Sequence, residues 1–401
     1  MKRNAIAAAL LSATLLAGAG AARAADVVRL GVLTDMTGAL SSALGEGSVE
    51  GARIAVEEFG GTLLGKKIEI LAGDHQNKAD IGVAIARRWI DTQDVNAIFD
   101  LANSAVAIAV QNLAKEKGKI SIATGAASGE LTNKYCNSNS FHWGYDSYQF
   151  TKASTAELVK AGGNSWFFVT VDYAFGHAVE ADQRAAVEAA GGKVVGTVRH
   201  PLNTADFSSF LLQAQSSGAK VVSFASSTAD LQNAMKQSTE FNLFSGGRMS
   251  SAPILLIMDV HNVGLQHAQG TMASAVFYWD ANEGTRKFAE KFSKKMGRPP
   301  TDAHAMTYSA TLHYLKAAKA ANSLDNDVVM AKMREMPVED LVTKGAKIRA
   351  DGRLMRDVFL ARVKTPATSK KPWDYYEILS TIKGEDAFRP EKDSVCPLIK
   401  K

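Results

Sequence analysis

A chain of 401 residues, 46% hydrophobic and 22% charged, holds more apolar material than one core usually takes, so two lobes are expected. Its formal charge of +5 falls to +2 when residues 1–24 are set aside, since that stretch carries Lys2, Arg3 and Arg23 and no acid. Near-neutral balance, with no basic block interleaved with aromatics, excludes nucleic acid as a partner.

The chain opens with a basic Lys2-Arg3 pair, a mostly apolar run from Ala5 to Ala17, and the small-x-small pattern Ala22-Arg23-Ala24. This reads as a secretory signal peptide cut near Ala24; the apolar part is too short to span a bilayer. Export makes the two cysteines informative. Cys136 and Cys396 can pair in an oxidising compartment and leave no free thiol, which would pin the C-terminal tail to the region after the first four βα units. Two buried thiols are the competing reading.

From Asp26, apolar runs alternate with amphipathic stretches: VVRLGVL and a helix over 46–58, KKIEILAGD and DIGVAIARRWIDTQ, VNAIFDL and SAVAIAVQNLAKEKG, then KISIAT. Near-continuous apolar runs are strands buried on both faces, and their alternation with helices predicts a parallel sheet. The first turn tests for a nucleotide loop and fails. Gly45 and Gly47 have G-x-G-x-x-G spacing, but Glu50 stands at the third position. The P-loop-like stretch from Gly60 to Lys66 is followed by Lys67, not Ser or Thr, and a helix precedes it rather than a strand. What remains is a polar turn, with residues 37–44 expected to form a rim beside a ligand.

A second series follows FHWGYDSYQF: SWFFVTVD with a helix over 177–190, KVVGTVRH with 206–215, KVVSFASS with 230–241, then PILLIMD and GTMASAVFYW, all expected in a second parallel layer. Three helices without strands between them cover EGTRKFAEKFSKKMG, TDAHAMTYSATLHYLKAAKAA and 326–335, and DVFLARVK and WDYYEILSTI suggest a terminal hairpin. The expected division is 25–143 plus 278–350 for an N-lobe, 144–277 plus 351–385 for a C-lobe, and 386–401 as a tail. Three crossings, near residues 143–145, 277–279 and 350–353, would make a hinge whose cleft faces the strand C-termini.

No catalytic, metal or cofactor site is expected. The eight histidines make no H-x-x-x-H pair, there is no G-x-S-x-G elbow, and Asp74 and Asp80 lack the spacing of a calcium loop. The strand-end turns can instead hold a small anion. Asn103 and Ser104 open a helix, with backbone N–H groups, a hydroxyl and the positive end of the dipole together, and Thr124 to Ser128 offer a second turn. Helix capping uses the same groups and is the alternative reading. Across the cleft, Tyr173 and Phe175, Ser226 and Ser227, and Asp259 stand at successive strand ends.

GVLTDMTG, GSVEGARIAVEE, LLGKKIEIL with DHQNKAD, and TADFSSFLLQAQSSGAKVV, in that order, resemble the periplasmic leucine/isoleucine/valine-binding family, the solute receptors of ABC importers. HWGYDSY, DYAFGHA and RHPLNTADFSSF look more like a subgroup that also binds aromatic acids. The resemblance implies an α/β protein of the type I periplasmic binding fold: two doubly wound lobes with parallel-rich sheets joined by a three-segment hinge. It implies a monomer in the periplasm, without a cofactor, that binds a small carboxylate-bearing solute and delivers it to ABC permease subunits; a ligand sensor coupled to a membrane receptor is the alternative. Carried over by position, the carboxylate turns fall on Asn103 and Ser104 and on Ala126 and Ala127. In the second turn the family's usual threonine is missing, and Ser128 or Thr124 is the nearest hydroxyl. The stacking tyrosine matches Tyr173, and the acid for a ligand ammonium falls on or beside Asp259. Ser226 and Ser227 replace a second-lobe tyrosine, so an aromatic wall is sought in Trp143, Tyr145 or Tyr278.

Overall fold

The computed structural model describes residues 27–400, so the stretch read as a signal peptide lies outside the described residues. The first apolar runs form one sheet of β1 (Val27–Thr34), β2 (Thr62–Leu63), β3 (Lys66–Asp74), β4 (Val95–Asp100), β5 (Ile120–Ala123) and β6 (Ser140–His142), in the order β2-β3-β1-β4-β5-β6. Every pair is parallel except the short β2–β3 ribbon. Parallel neighbours need crossovers, supplied by α1 (Gly45–Phe59), α2 (Ala79–Gln93) and α3 (Ser104–Glu116).

The second lobe starts with α4 (Ser147–Lys160) and continues as β7 (Ser165–Val171), α5 (Ala174–Ala189), β8 (Lys193–His200), α6 (Ser208–Ser216), β9 (Val221–Ala225), α7 (Thr228–Glu240) and β10 (Met249–Ser251). Its sheet is parallel throughout, in the order β10-β9-β7-β8. Two expectations are corrected here. PILLIMD is not a strand: Ile257 begins α8 (Ile257–Val263), followed by the short α9 (Leu265–Ala268). A brief apolar run carries no period of its own, and the Asp259 carboxylate decides it by accepting the Leu256 N–H at 3.0 Å, a cap on the helix start. GTMASAVFYW does not join the parallel layer either. Its strand β11 (Met272–Ala275) runs antiparallel to a later strand.

The rest of the chain gives α10 (Glu283–Met296), α11 (Asp302–Ala321) and α12 (Asn326–Glu335), a small β12 (Lys347–Ile348) and β13 (Leu354–Met355) ribbon, then β14 (Val358–Val363), β15 (Tyr376–Ile382) and α13 (Gly384–Ala387). β14 and β15 are the antiparallel pair suggested at the C-terminus, and with β11 they make a third sheet. Its Ala361, Val363 and Tyr376 share one apolar cluster with Phe167 and Val169 of β7.

The glycines that mimicked a nucleotide fingerprint serve helix packing. A Cβ at Gly47 would lie 2.4 Å from His304 Nε2, and one at Gly51 only 2.5 Å from the His304 carbonyl, so these glycines let α1 and α11 approach closely. His304 Nε2 donates to the Leu44 carbonyl at 3.0 Å and Nδ1 accepts the Thr301 N–H at 3.0 Å. Burial lowers the imidazole to about 3, which keeps it neutral as that pattern requires.

The lobes are closed on each other. Leu40, Leu44 and Tyr145 belong to the same apolar cluster as Phe175, Ile254, Leu256 and Met258. At the rim, Arg298 donates to the Ser42 carbonyl at 2.9 Å and meets Met258 Sδ at 3.3 Å. Two crossing segments run side by side, with His142 N–H donating to the Gly352 carbonyl at 2.9 Å. There Arg353, wholly buried, donates to the Gly144 carbonyl, places Nη1 3.4 Å from Asp146 Oδ2, and lies 4.0 Å over the Phe388 ring. The tail then straps the closed pair: Arg389 pairs with Asp182 of α5 at 2.8 Å and Glu130 at 3.4 Å, and Cys396 is disulfide-bonded to Cys136.

Candidate ligand-binding site

Between the lobes lies a small cavity of about 30 Å³, reached by strand-end turns from both. On the first lobe, Asp100 and Leu101 take φ of +75° and +56°, a left-handed step that folds the chain sharply from β4 toward α3. Asn103 caps α3, its Oδ1 accepting from the N–H groups of Ala105 at 2.7 Å and Val106 at 3.1 Å, while its amide donates to Asn77 Oδ1 at 2.6 Å. That side chain is committed within the lobe. Ser104 is the first residue of α3 and lines the cavity. Its Oγ accepts the Ser128 N–H at 3.2 Å, which leaves its O–H to donate, and its own N–H has no intrahelical carbonyl to reach.

The second turn hangs on Asp100. The N–H groups of Thr124 and Gly125 both donate to the Asp100 carbonyl, at 3.0 and 3.1 Å. Gly125 and Ala127 line the cavity. A Cβ on Gly125 would meet Leu44 Cδ2 at 2.1 Å, so a side chain here would fill ligand space. Ala126 and Ser128 face elsewhere: the Ala126 carbonyl meets His142 Nε2 at 2.8 Å, and Ser128 Oγ accepts the Glu130 N–H at 3.3 Å as the cap of a 3₁₀ turn, Gly129–Thr132.

From the second lobe, Tyr173 and Phe175 present rings with centroids 5.6 Å apart at the start of α5. Burial raises the Tyr173 phenol well above its usual range, so it stays protonated. Ser227 caps α7 by position but makes no side-chain cap bond, and Thr228 follows with φ +49°, a strained conformation for a β-branched residue. Both line the cavity. Their neighbour Ser226 turns away to His200, Oγ to Nε2 2.7 Å. His200 Nδ1 lies 2.9 Å from the Pro201 carbonyl, so Nδ1 carries the proton and Nε2 accepts from Ser226.

Of the residues singled out from the sequence, Ser104, Ala127, Tyr145, Tyr173, Phe175 and Ser227 border the cavity, and Asn103, Thr124, Ala126, Ser128, Ser226, Asp259, Trp143 and Tyr278 do not. Asp259 is buried behind the lining, with Oδ1 accepting from Gln232 Nε2 at 2.8 Å and Oδ2 from Leu256 N–H at 3.0 Å. Trp143 is core, its Nε1 donating to Ser309 Oγ at 3.0 Å, and Tyr278 packs on Tyr376. Leu40 and Leu44 of the anticipated rim line the space. Residues missed by sequence reasoning are Ala102, Gly125, Thr228, Ile254 and Leu256. Gly125 was legible as part of the Thr124–Ser128 turn; the two apolar residues were hidden by the misread strand.

No Asp, Glu, Lys, Arg or His lines the cavity among the described residues. Its field comes from the starts of α3, α5 and α7, where Ser104, the first residue of α3, and the N-cap residues Tyr173 and Ser227 sit at the wall. Converging N-terminal N–H groups favour an anion. The apolar faces of Leu40, Leu44, Phe175, Ile254 and Leu256 favour a hydrophobic body.

Two α/β lobes shut around a small chamber with neutral donors at strand ends define a solute receptor. The chain belongs to the periplasmic binding protein family, whose model matches residues 27–371. It is 42% identical to a periplasmic binding protein of Burkholderia mallei, with a TM-score of 0.91 over 94% of this chain and 100% of that one. A branched chain amino acid ABC transporter periplasmic ligand-binding protein of Burkholderia xenovorans is 39% identical, with a TM-score of 0.84 over 93% and 100% of the two chains. The Leu/Ile/Val-binding protein homolog 7 of Brucella suis is 27% identical over 349 residues, 82% of this chain and 86% of its own.

Proposed function

We propose that the protein captures a small organic monocarboxylate with an apolar or aromatic body and delivers it to the permease of an ABC importer. The observation that carries this reading is the chamber itself: helix N-termini and the Ser104 O–H for a carboxylate, apolar walls for the body, and no charged side chain in the lining. An amino acid would bring an ammonium, and no carboxylate lines the chamber to receive it; both oxygens of Asp259 already have partners. A second reading, a branched-chain amino acid, is favoured by the description of the Burkholderia xenovorans relative.

Thermal-shift screening separates the two. Benzoate-type acids are expected to stabilise the protein, by about 2.7 kcal/mol at about 100-fold excess over the dissociation constant, and leucine is not. The reverse pattern hands the function to amino acids. Ser104→Ala is expected to weaken carboxylate binding by about 1.5–3 kcal/mol, the contribution of a hydrogen bond to a charged group, and to cost about 1–3 kcal/mol of folding stability because the Ser128 N–H loses its acceptor. Titration calorimetry reads this directly, and unchanged affinity removes the hydroxyl from the site. Delivery is tested by uptake of the stabilising acid in cells with and without the gene.

A further inference from the structure

Behind the wall of the first lobe sits an acid that the binding reading does not use. Asp100 is fully buried at the end of β4. A Cβ on Gly125, a lining residue, would come within 2.6 Å of Asp100 Oδ1, so bare glycine backbone separates this carboxyl from the ligand space. Oδ1 accepts from Thr124 Oγ1 at 3.1 Å, and Thr124 Oγ1 in turn meets Thr307 Oγ1 of α11 at 2.6 Å. Oδ2 is buried without a hydrogen-bond partner, and so are the Thr34 and Ser48 hydroxyls that face the carboxyl from β1 and α1. Neutral hydroxyls therefore surround it on β1, α1, the turn after β5, and α11. The charge that reaches it is another acid, Asp35, whose oxygens accept from Gly38 and Leu40 N–H at 2.7 and 2.9 Å. The Tyr145 phenol of the crossing segment, held protonated by burial, is the remaining titratable neighbour.

Thr34 and Ser48 can turn their hydroxyls to an ionised Asp100, but in a dry site its charge would still face both Asp35 and an incoming anion. Two carboxylates that share a site do not both stay ionised. A protonated Asp100 removes the repulsion, and its O–H finds an acceptor in Thr34 or Ser48. Burial raises the group to about 6. Asp259 and Asp302 are also buried, but they accept N–H donors from Leu256 and Phe277, at 3.0 Å each.

We propose that Asp100 is a specificity-determining residue that makes anion capture proton-linked: it carries a proton whenever the chamber holds a carboxylate, so that ligand binding near neutral pH takes up one proton. The proposal rests on the carboxylate-binding reading above. The sign follows from linkage: a group more protonated in the bound state than in the free one makes affinity rise as pH falls, until the free protein is itself protonated.

Calorimetry with benzoate and with leucine, at about pH 8 and about pH 6 and in two buffers of different ionisation enthalpy, carries the test. The expected result is at least about tenfold tighter binding at the lower pH, with close to one proton taken up near pH 7. Asp100→Asn, an amide of the same shape that mimics the neutral acid, is expected to bind with pH-independent affinity and no proton uptake. Wild-type binding without pH dependence or uptake overturns the proposal and leaves the carboxylate reading standing, and so does an asparagine variant that keeps both. Failure of the wild type to bind either probe overturns the carboxylate reading and, with it, the proposal. Should the variant not fold, carbon-13 spectra of aspartate-labelled wild-type protein decide: benzoate at about pH 7 shifts one carboxyl to its protonated position, and no such shift overturns the proposal.

Discussion

Removing the Cys136–Cys396 bond is expected to lower stability by about 3–5 kcal/mol. The two cysteines are 260 residues apart, so the bond closes a very long loop in the unfolded chain, where chain-entropy estimates are greatest. Its native role adds to this. The cystine packs with Ile399 and Leu398, and beside it the Val395 N–H donates to Asn133 Oδ1 at 2.8 Å. Without the bond the last turns hold by such contacts and by Arg389 alone, and the strap across the lobes slackens. Urea unfolding of wild type with and without reductant, beside the Cys136→Ala/Cys396→Ala variant, measures the effect. The reductant should lower the wild-type midpoint to that of the variant and leave the variant unchanged; equal midpoints in all samples contradict the assignment.

The second large effect is at Arg353. Truncating it to alanine is expected to cost about 3–5 kcal/mol, because Asp146 is left buried without its cation and the Phe388 face without its partner. Burial has already drawn the guanidinium down to about 10, a sign of how incompletely its charge is compensated. Attraction and desolvation nearly cancel in such pairs, so neutralising both partners should restore much of the loss. Arg353→Met with Asp146→Asn keeps the volume and keeps a helix cap, since Asn can still accept the Gln149 N–H that Asp146 Oδ1 now accepts at 2.8 Å. Unfolding midpoints should therefore rank wild type near the double variant and both well above Arg353→Ala. A double variant as unstable as the alanine one would show that the charge pair itself holds the hinge.

The layered α/β architecture was legible because its signals are long and repeated. Helix 326–335 was read to the residue, with Asp325 capping the Val328 N–H at 3.0 Å, and β1, β3 and β4 followed their apolar runs. PILLIMD failed because seven residues of buried apolar chain look alike as strand or helix, and a single cap at Asp259 tips the balance. Which residues border the cavity was legible to the level of the turn and no further. Ser226 and Ser227 are adjacent and chemically identical, yet one bonds His200 and the other faces the chamber. Sequence places a residue at a strand end, while the backbone angle there sets its direction, as the left-handed Thr228 and Asp100 make plain. Trp143 and Tyr278 failed for a related reason: an aromatic ring that walls a chamber and one that fills a core carry the same letter.

The long covalent ring closed by Cys136 and Cys396 also bears on how the molecule is made and how it fails. Its two sulfurs lie 260 residues apart, so the bond can form only after all the chain between them has been made. Once sealed, the ring tolerates a single proteolytic nick anywhere along its circumference: the severed pieces stay one molecule until a reducing agent parts them.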